Sequence, residues 1–268
     1  MRKIAVLLLL CALCGLGYYS FYPDVSRLKR ENPKRTALME LREREWKDKG
    51  RKVALRQKWV PLRSVSPYLV KAVIIAEDDK FWSHSGFDID AMQKAFEKDL
   101  KEKKLRFGGS TISQQLAKNL YLSPSKNPLR KIKEAVITWR LERTLPKKRI
   151  LEIYLNVAEW GEGIFGVEAA SEQYYGKPAS SLNAGEAARL AAVLPNPRRF
   201  RADSNSRYVE KRSRIIYDIM ARRGIVIPEY EIMIEDMAGA APDSLPEAKG
   251  IVGEDPVILP EPRDDPVR

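Results

Sequence analysis

Three consecutive acids, Glu77-Asp78-Asp79, close an apolar run, and the only histidine of the 268 residues, His84, follows shortly after. Carboxylates are stable in water, so one carried by an apolar helix calls for a reason. In the helix predicted from Pro67 onward, Glu77 falls three, four and seven positions after Ile74, Val73 and Val70, which puts it on their face. Desolvation there would raise the proton affinity of the carboxylate and suit it to act as a general base near neutrality. The plainer alternative is an ion pair with a lysine or arginine at the helix end. A serine–histidine–acid triad would need a nucleophile that cannot be placed, so His84 reads as a hydrogen-bond partner for the loop beyond Glu77.

Two further clusters could handle an anion. Gly109-Ser110 leads into a helix in which Thr111, Gln115 and Lys118 form a polar stripe opposite Ile112, Leu116 and Leu120. Glycines before a helix start leave backbone N–H groups open to an anion, although an ordinary amphipathic helix after a glycine turn has the same pattern. In Arg130-Lys131-Ile132-Lys133-Glu134, Arg130 and Glu134 are spaced i,i+4. They read either as a surface pair worth only ~0.3–0.5 kcal/mol or as part of a grip on a diphosphate. In the second case Glu134 faces the same cleft as Glu77.

Composition excludes several chemistries. Cys11 and Cys14 both lie in an apolar segment, so the rest of the chain has no thiol nucleophile, disulfide or cysteine ligand. With one histidine, zinc sites of the usual His/Cys type are excluded as well. The net charge is +12, and because residues 235–268 carry nine acids against three bases, the remainder holds +18. Such a body suits anionic head groups, pyrophosphates or nucleic acid as partners.

The elements that must position these residues read as helical almost throughout, with no repeat and no alternating strand pattern. Ile4 to Tyr22 is a nearly uncharged stretch, long enough to span a hydrocarbon layer of ~30 Å. Arg2 and Lys3 precede it, no cleavage site is evident, and Tyr18, Tyr19, Phe21 and Tyr22 resemble an interfacial belt. It is therefore expected to be an uncleaved anchor, residues 1–23. Residues 24–54 form a basic juxtamembrane segment containing a charged helix within Pro33–Gly50. Residues 24–63 hold fourteen Lys/Arg against six Asp/Glu; that bias favours the cytoplasm, but long domains are exported largely regardless of charge.

Ser66 is expected to cap the helix beginning at Pro67, and Asp88 opens one with Ile89, Met92, Phe96 and Leu100 on one face. Helices are further expected from Ser110 to about Leu122, from Asn127-Pro128 to Leu145, and around Ile150–Leu155. Trp160 to Gly166 reads as a glycine-rich loop. Asn183 and Glu186 form a capping-box start, and Ser206–Arg223 is the last long helix, stopped by Gly224. Residues 55–237 thus form an all-α domain, and 238–268 an acidic, proline-rich tail expected to be disordered.

In this order, the segments resemble the glycosyltransferase domain of bacterial peptidoglycan synthases, above all the monofunctional biosynthetic peptidoglycan transglycosylases. The first motif, Glu-Asp-x-x-Phe-x-x-His-x-Gly, is met by Glu77, Asp78, Phe81, His84 and Gly86. The second is met by Gly108, Ser110, Thr111, Gln114, Gln115, Lys118 and Asn119, with Ser113 where threonine is common. The third is Arg130, Lys131 and Glu134, and the fourth Lys147, Ile150, Leu151, Glu152, Tyr154, Leu155 and Asn156. A fifth region resembles Glu186 to Pro197. Each motif alone is modest; five in order leave little room for chance.

The resemblance implies a lysozyme-like helical lobe with a smaller membrane-proximal lobe, and polymerisation of lipid II into β-linked glycan strands with loss of undecaprenyl diphosphate. It makes Glu77 the general base and gives Glu134, Lys118, Arg130 and Lys131 to the diphosphate. Thr111, Gln114, Gln115 and Asn119 orient donor sugar and phosphate, while Asp78, Phe81, His84 and Ser110 support the motifs. A divalent magnesium or manganese ion accompanying the diphosphate is the one cofactor it raises. Partners are lipid II, the growing strand, lipids of the cytoplasmic membrane and other cell-wall synthesis or division proteins, not nucleic acid. The catalytic domain is placed on the outer side of that membrane. Ser123-Pro124-Ser125-Lys126 fits a Ser-x-x-Lys pattern, but no Lys-Thr-Gly follows, so no transpeptidase is expected. The residues alone leave open two rivals: an enzyme cleaving glycan with Glu77 as acid, and a membrane scaffold binding anionic lipid or nucleic acid through its basic flank.

Overall fold

The structure is a computed structural model that describes residues 23–102, 109–123 and 129–226. The expected anchor, the acidic tail, Gly108 and the Pro124–Pro128 stretch lie outside the described residues. Among those described, no helix is long and apolar enough to cross a membrane.

The chain divides into two compact units, each assembled from two stretches. One takes the described residues up to Leu55 together with Lys80–Ala158; the other takes Arg56–Asp79 and the described residues from Glu159 on.

In the first unit, α1 (Ala37–Asp48), α3 (Ile89–Glu102), α4 (Ile112–Tyr121), α5 (Leu129–Thr144) and α6 (Lys147–Val157) follow in chain order, α2 belonging to the other unit. The central helix is α4, against which α1, α5 and α6 pack. Its apolar stripe explains why: Ile112, Leu116 and Leu120 are buried, each such side chain being worth ~1.5–3 kcal/mol when taken from water. The segment 24–54, expected to be juxtamembrane, is built into this unit, with Val25, Leu28, Met39 and Trp46 buried. Arg149 of α6 secures its start, donating to Leu28 O (2.8 Å), Glu31 O (2.9 Å) and Asn32 Oδ1 (2.8 Å).

The second unit centres on α2 (Pro67–Glu77), α8 (Ala184–Val193) and α9 (Arg207–Arg222), which pack on one another. Leu69, Ala72 and Val73 of α2 meet an alanine-rich α8 whose Ala184, Ala187, Ala188 and Ala191 are buried. Small side chains there let the helices approach closely. The Asn183/Glu186 capping box forms as expected, and Gly224 ends α9 at φ +64°. Ser66 does not cap α2: its hydroxyl donates to Leu182 O at 2.7 Å instead.

The expectation of a purely helical chain needs one correction. The Trp160–Gly166 stretch is not a loop but a hairpin, β2 (Glu159–Gly161) and β3 (Ile164–Phe165), joined in parallel by β1 (Arg56–Gln57) and followed by α7 (Val167–Tyr175). Glycine is required at 161, where a Cβ would lie 2.2 Å from the Tyr174 hydroxyl. That hydroxyl donates to Trp160 O at 3.1 Å, and Trp160 and Phe165 are fully buried.

Candidate active site

Glu77 and Asp78 belong to the second unit; the other candidate residues belong to the first. The apolar face of α2 carries Glu77 as its last residue, and the side chain is 10% exposed. From α9, the buried Arg212 donates through Nη2 to Ala76 O (3.2 Å) and stands 3.9 Å from Glu77 Oε1. A guanidinium at the C-terminal carbonyls of a helix is favoured by the helix dipole, and here it also sets a positive charge beside the carboxylate. Asp79 is gripped through both oxygens by Arg223 (2.5 and 2.8 Å), which pushes the Arg223 guanidinium above its usual range. Asp78 is buried as the residue that ends the helix.

Arg212 was not singled out from the sequence, yet a signal exists. It falls three residues after Val209 and four before Ile216, on the apolar stripe of α9, where an arginine has no business unless a partner awaits it.

In the first unit, the second motif builds the start of α4. Thr111 is its N-cap: the hydroxyl accepts from Gln114 N (3.2 Å) and Gln114 Oε1 accepts from Thr111 N (3.0 Å), a complete capping box. The Thr111 hydroxyl also donates to Gly86 O at 2.7 Å. These polar groups therefore hold the helix start and tie the first-motif loop to it. At Gly109 a Cβ would crowd α3, lying 3.2 Å from Met92 Cα and 3.3 Å from Ala95 Cβ. Further along α4, Gln115 Oε1 accepts from the Tyr154 hydroxyl (3.1 Å), Lys118 is exposed and Asn119 is buried.

The loop after Asp79 is anchored by Phe81, which is fully buried. His84 has the structural part expected of it: Nδ1 accepts from Gly86 N at 3.0 Å. Ser110 precedes the α4 cap and is half-buried.

On α5, Glu134 is only 3% exposed, so a surface pair is ruled out. Its Oε2 receives Arg130 Nη1 at 3.2 Å and its Oε1 Lys131 Nζ at 2.5 Å. One turn on, the Thr138 hydroxyl donates to Glu134 O at 2.7 Å. A buried carboxylate with a partly exposed cation on each oxygen can hold those cations in place for an anion of higher charge. In the fourth motif, Asn156 Nδ2 donates to Glu152 O (2.8 Å) and Glu152 pairs with Arg149. In the fifth, Arg189 donates to Ala202 O (2.7 Å) and Ser204 O (2.5 Å).

Residues 46–221 match the family model described as Transglycosylase, a stretch that covers Glu77, Glu134 and the second-motif residues between them, and the chain belongs to that family. Biosynthetic peptidoglycan transglycosylases lie close to it. That of Nitrosospira multiformis is 52% identical over 194 residues, 72% of this chain and 84% of its own. That of Methylobacillus flagellatus is 49% identical over 210 residues (78% and 92%), and that of Aromatoleum aromaticum 50% identical over 216 (79% and 94%).

Proposed function

We propose that this chain, a peptidoglycan glycosyltransferase by family, polymerises lipid II into β-linked glycan strands and releases undecaprenyl diphosphate. The observation that carries the reading is the buried Glu134 bracketed by Arg130 and Lys131. A hydrolase of neutral glycan has no use for that assembly, whereas a diphosphate leaving group needs cations fixed in advance.

The reaction is a single inverting displacement. Glu77 takes the proton from the acceptor's 4-hydroxyl as its oxygen attacks the anomeric carbon of the growing strand, and the bond to the diphosphate breaks. Arg130, Lys131 and Lys118 stabilise the charge that develops on the departing phosphate, with Glu134 orienting the first two. Gln115 and Asn119 orient donor sugar and phosphate, while Thr111 and Gln114 fix the turn that presents them. Both oxygens of Glu134 already receive cationic side chains, and among the described residues no group of three acids, histidines or cysteines is placed to hold a metal ion. That donor set does not fit a protein-held magnesium or manganese ion.

Placement at a membrane has its own support. Ile89, Phe96 and Leu100 of α3 are more than 60% exposed, with Met92 and the nearby Trp82 also exposed. An amphipathic helix with its apolar face uncovered is suited to the headgroup–acyl boundary. We assign α3 to the membrane-proximal lobe and residues 55–237 to the catalytic domain, lysozyme-like in its helical part. The segment 1–23 tethers it to the outer face of the cytoplasmic membrane, beside the lipid-borne substrate. The chain lacks a Lys-Thr-Gly sequence, and we assign it no cross-linking step.

The test is fluorescent lipid II given to the full chain, with and without chelator, and resolved by length. Long strands are expected. Purified glycan shortened by the chain, with lipid II untouched, would refute the reading.

A further inference from the structure

Two turns beyond Glu134 on the same face of α5 lies Glu142, outside all five motifs. Its side chain is only 7% exposed and serves three neighbours at once. The Ser113 hydroxyl of α4 donates to Oε1, and Lys147 Nζ of α6 meets the same oxygen at 2.7 Å. That ammonium stands 4.5 Å from the centre of the Phe81 ring, a distance at which cation and ring attract. The third contact is steric. Gly86, at φ +95°, rests so closely on α5 that a Cβ would lie 2.9 Å from Glu142 Cγ and 3.0 Å from Thr138 Cγ2.

A buried ion pair of this kind is seldom needed for stability, since an apolar pair of similar volume serves as well. What an apolar pair could not do is fix direction. The Glu142 carboxylate sets α4 through Ser113, the loop through Lys147 and Phe81, and the floor under Gly86, whose carbonyl receives the Thr111 hydroxyl. All of this happens on the helix that carries Glu134.

We infer that Glu142 is a positioning residue for glycosyl transfer: it registers the Phe81–Gly86 loop and the first turn of α4 against the helix of Glu134. The inference rests on the transfer reading above.

The experiment compares wild type, Glu142→Asp and Glu142→Gln as full chains, measuring lipid II polymerisation well below each melting temperature. Glutamine can still accept from Ser113 but holds the ammonium over Phe81 without a charge to attract it. Its kcat is expected to fall roughly tenfold to a hundredfold, the scale of sub-ångström misplacement. The KM should move less than about twofold, because no group that binds substrate uniformly has been removed. Aspartate, which keeps the charge, should recover most of the loss. A glutamine variant that melts lower but keeps its kcat within about twofold would overturn the inference, as would a change in KM alone. If that variant does not fold, Glu142→Gln/Lys147→Met removes both charges. A folded double variant that stays slow supports positioning; one with restored kcat refutes it. Wild type that makes no polymer refutes the transfer reading and this inference together, whereas active wild type with an unaffected glutamine variant refutes this inference alone.

Discussion

Glu134 and Glu77 are both acids withdrawn from water, but they are held in opposite ways. Glu134 is gripped by its own helix: Arg130 and Lys131 sit one turn earlier and close on it from either side. Glu77 ends a helix whose neighbouring cation, Arg212, comes from α9, 136 positions from the Ala76 carbonyl it also binds. The first arrangement is complete within five residues and survives as long as α5 does. The second exists only when the unit has folded. A locally held carboxylate suits a part that must keep fixed charges in place, and a remotely held one can be tuned by packing at a distance.

The largest expected effect breaks the comparison at its chemical end. Glu77→Gln should lower kcat by roughly 10²–10⁴-fold, the range for loss of a general base, with little change in KM and a folded protein. Glu134→Gln should instead raise KM as well as lower kcat, since Arg130 and Lys131 lose their anchor. Steady-state kinetics on lipid II separates the two, and indistinguishable kinetic signatures would erase the distinction drawn here.

Next in size is Arg212→Met. Loss of the bond to Ala76 O leaves a partly buried acceptor unpaired, a cost at the low end of ~1–3 kcal/mol, readable as a lower urea midpoint. An unchanged midpoint would mean that the bond to Ala76 O contributes nothing to the fold.

A smaller effect is expected from Lys131→Ala, whose side chain is half exposed. KM for lipid II should rise severalfold and its dependence on salt should weaken, while thermal stability barely changes.

The smallest test concerns stability away from either acid. Lys58 pairs with Glu172 and Glu168 of α7, and those hydrogen bonds hold its ammonium above the ordinary lysine range. A raised folded value means that the contribution is full below the unfolded value and is lost as pH rises through the folded one. Lys58→Met should therefore differ from wild type in urea midpoint at neutral pH and converge with it at strongly alkaline pH.

What was legible beforehand follows the same local–remote division. The helix after Gly109-Ser110, the Asn183 helix start, the stop at Gly224 and the buried stripe of α4 were readable because each is set by residues within a few positions of one another. The Arg130–Glu134 spacing was readable too, though not that it lies buried, which depends on what packs over α5. The three strands were not. None exceeds three residues, too short for alternation to register, and β1 finds its partner β3 more than a hundred residues later. Ser66 looked like a cap because its type and the following proline fit one, but the Leu182 carbonyl takes its hydroxyl instead. Arg212 escaped because its partners are remote in sequence, and Glu142 because Ser113 and Gly86, which give it its place, are remote although Lys147 lies only five positions on.

The interleaving of the two units bears on how the polypeptide is made. Leu69 and Val73 of α2 emerge from the ribosome roughly a hundred residues before α8, or on the order of ten seconds at ordinary rates of synthesis. During that interval the helix destined to carry Glu77 is a sticky fragment with nothing to rest against. Glu77 is thus translated well before it can be seated, and nascent chains stalled before Ala184 should depend on a holding chaperone.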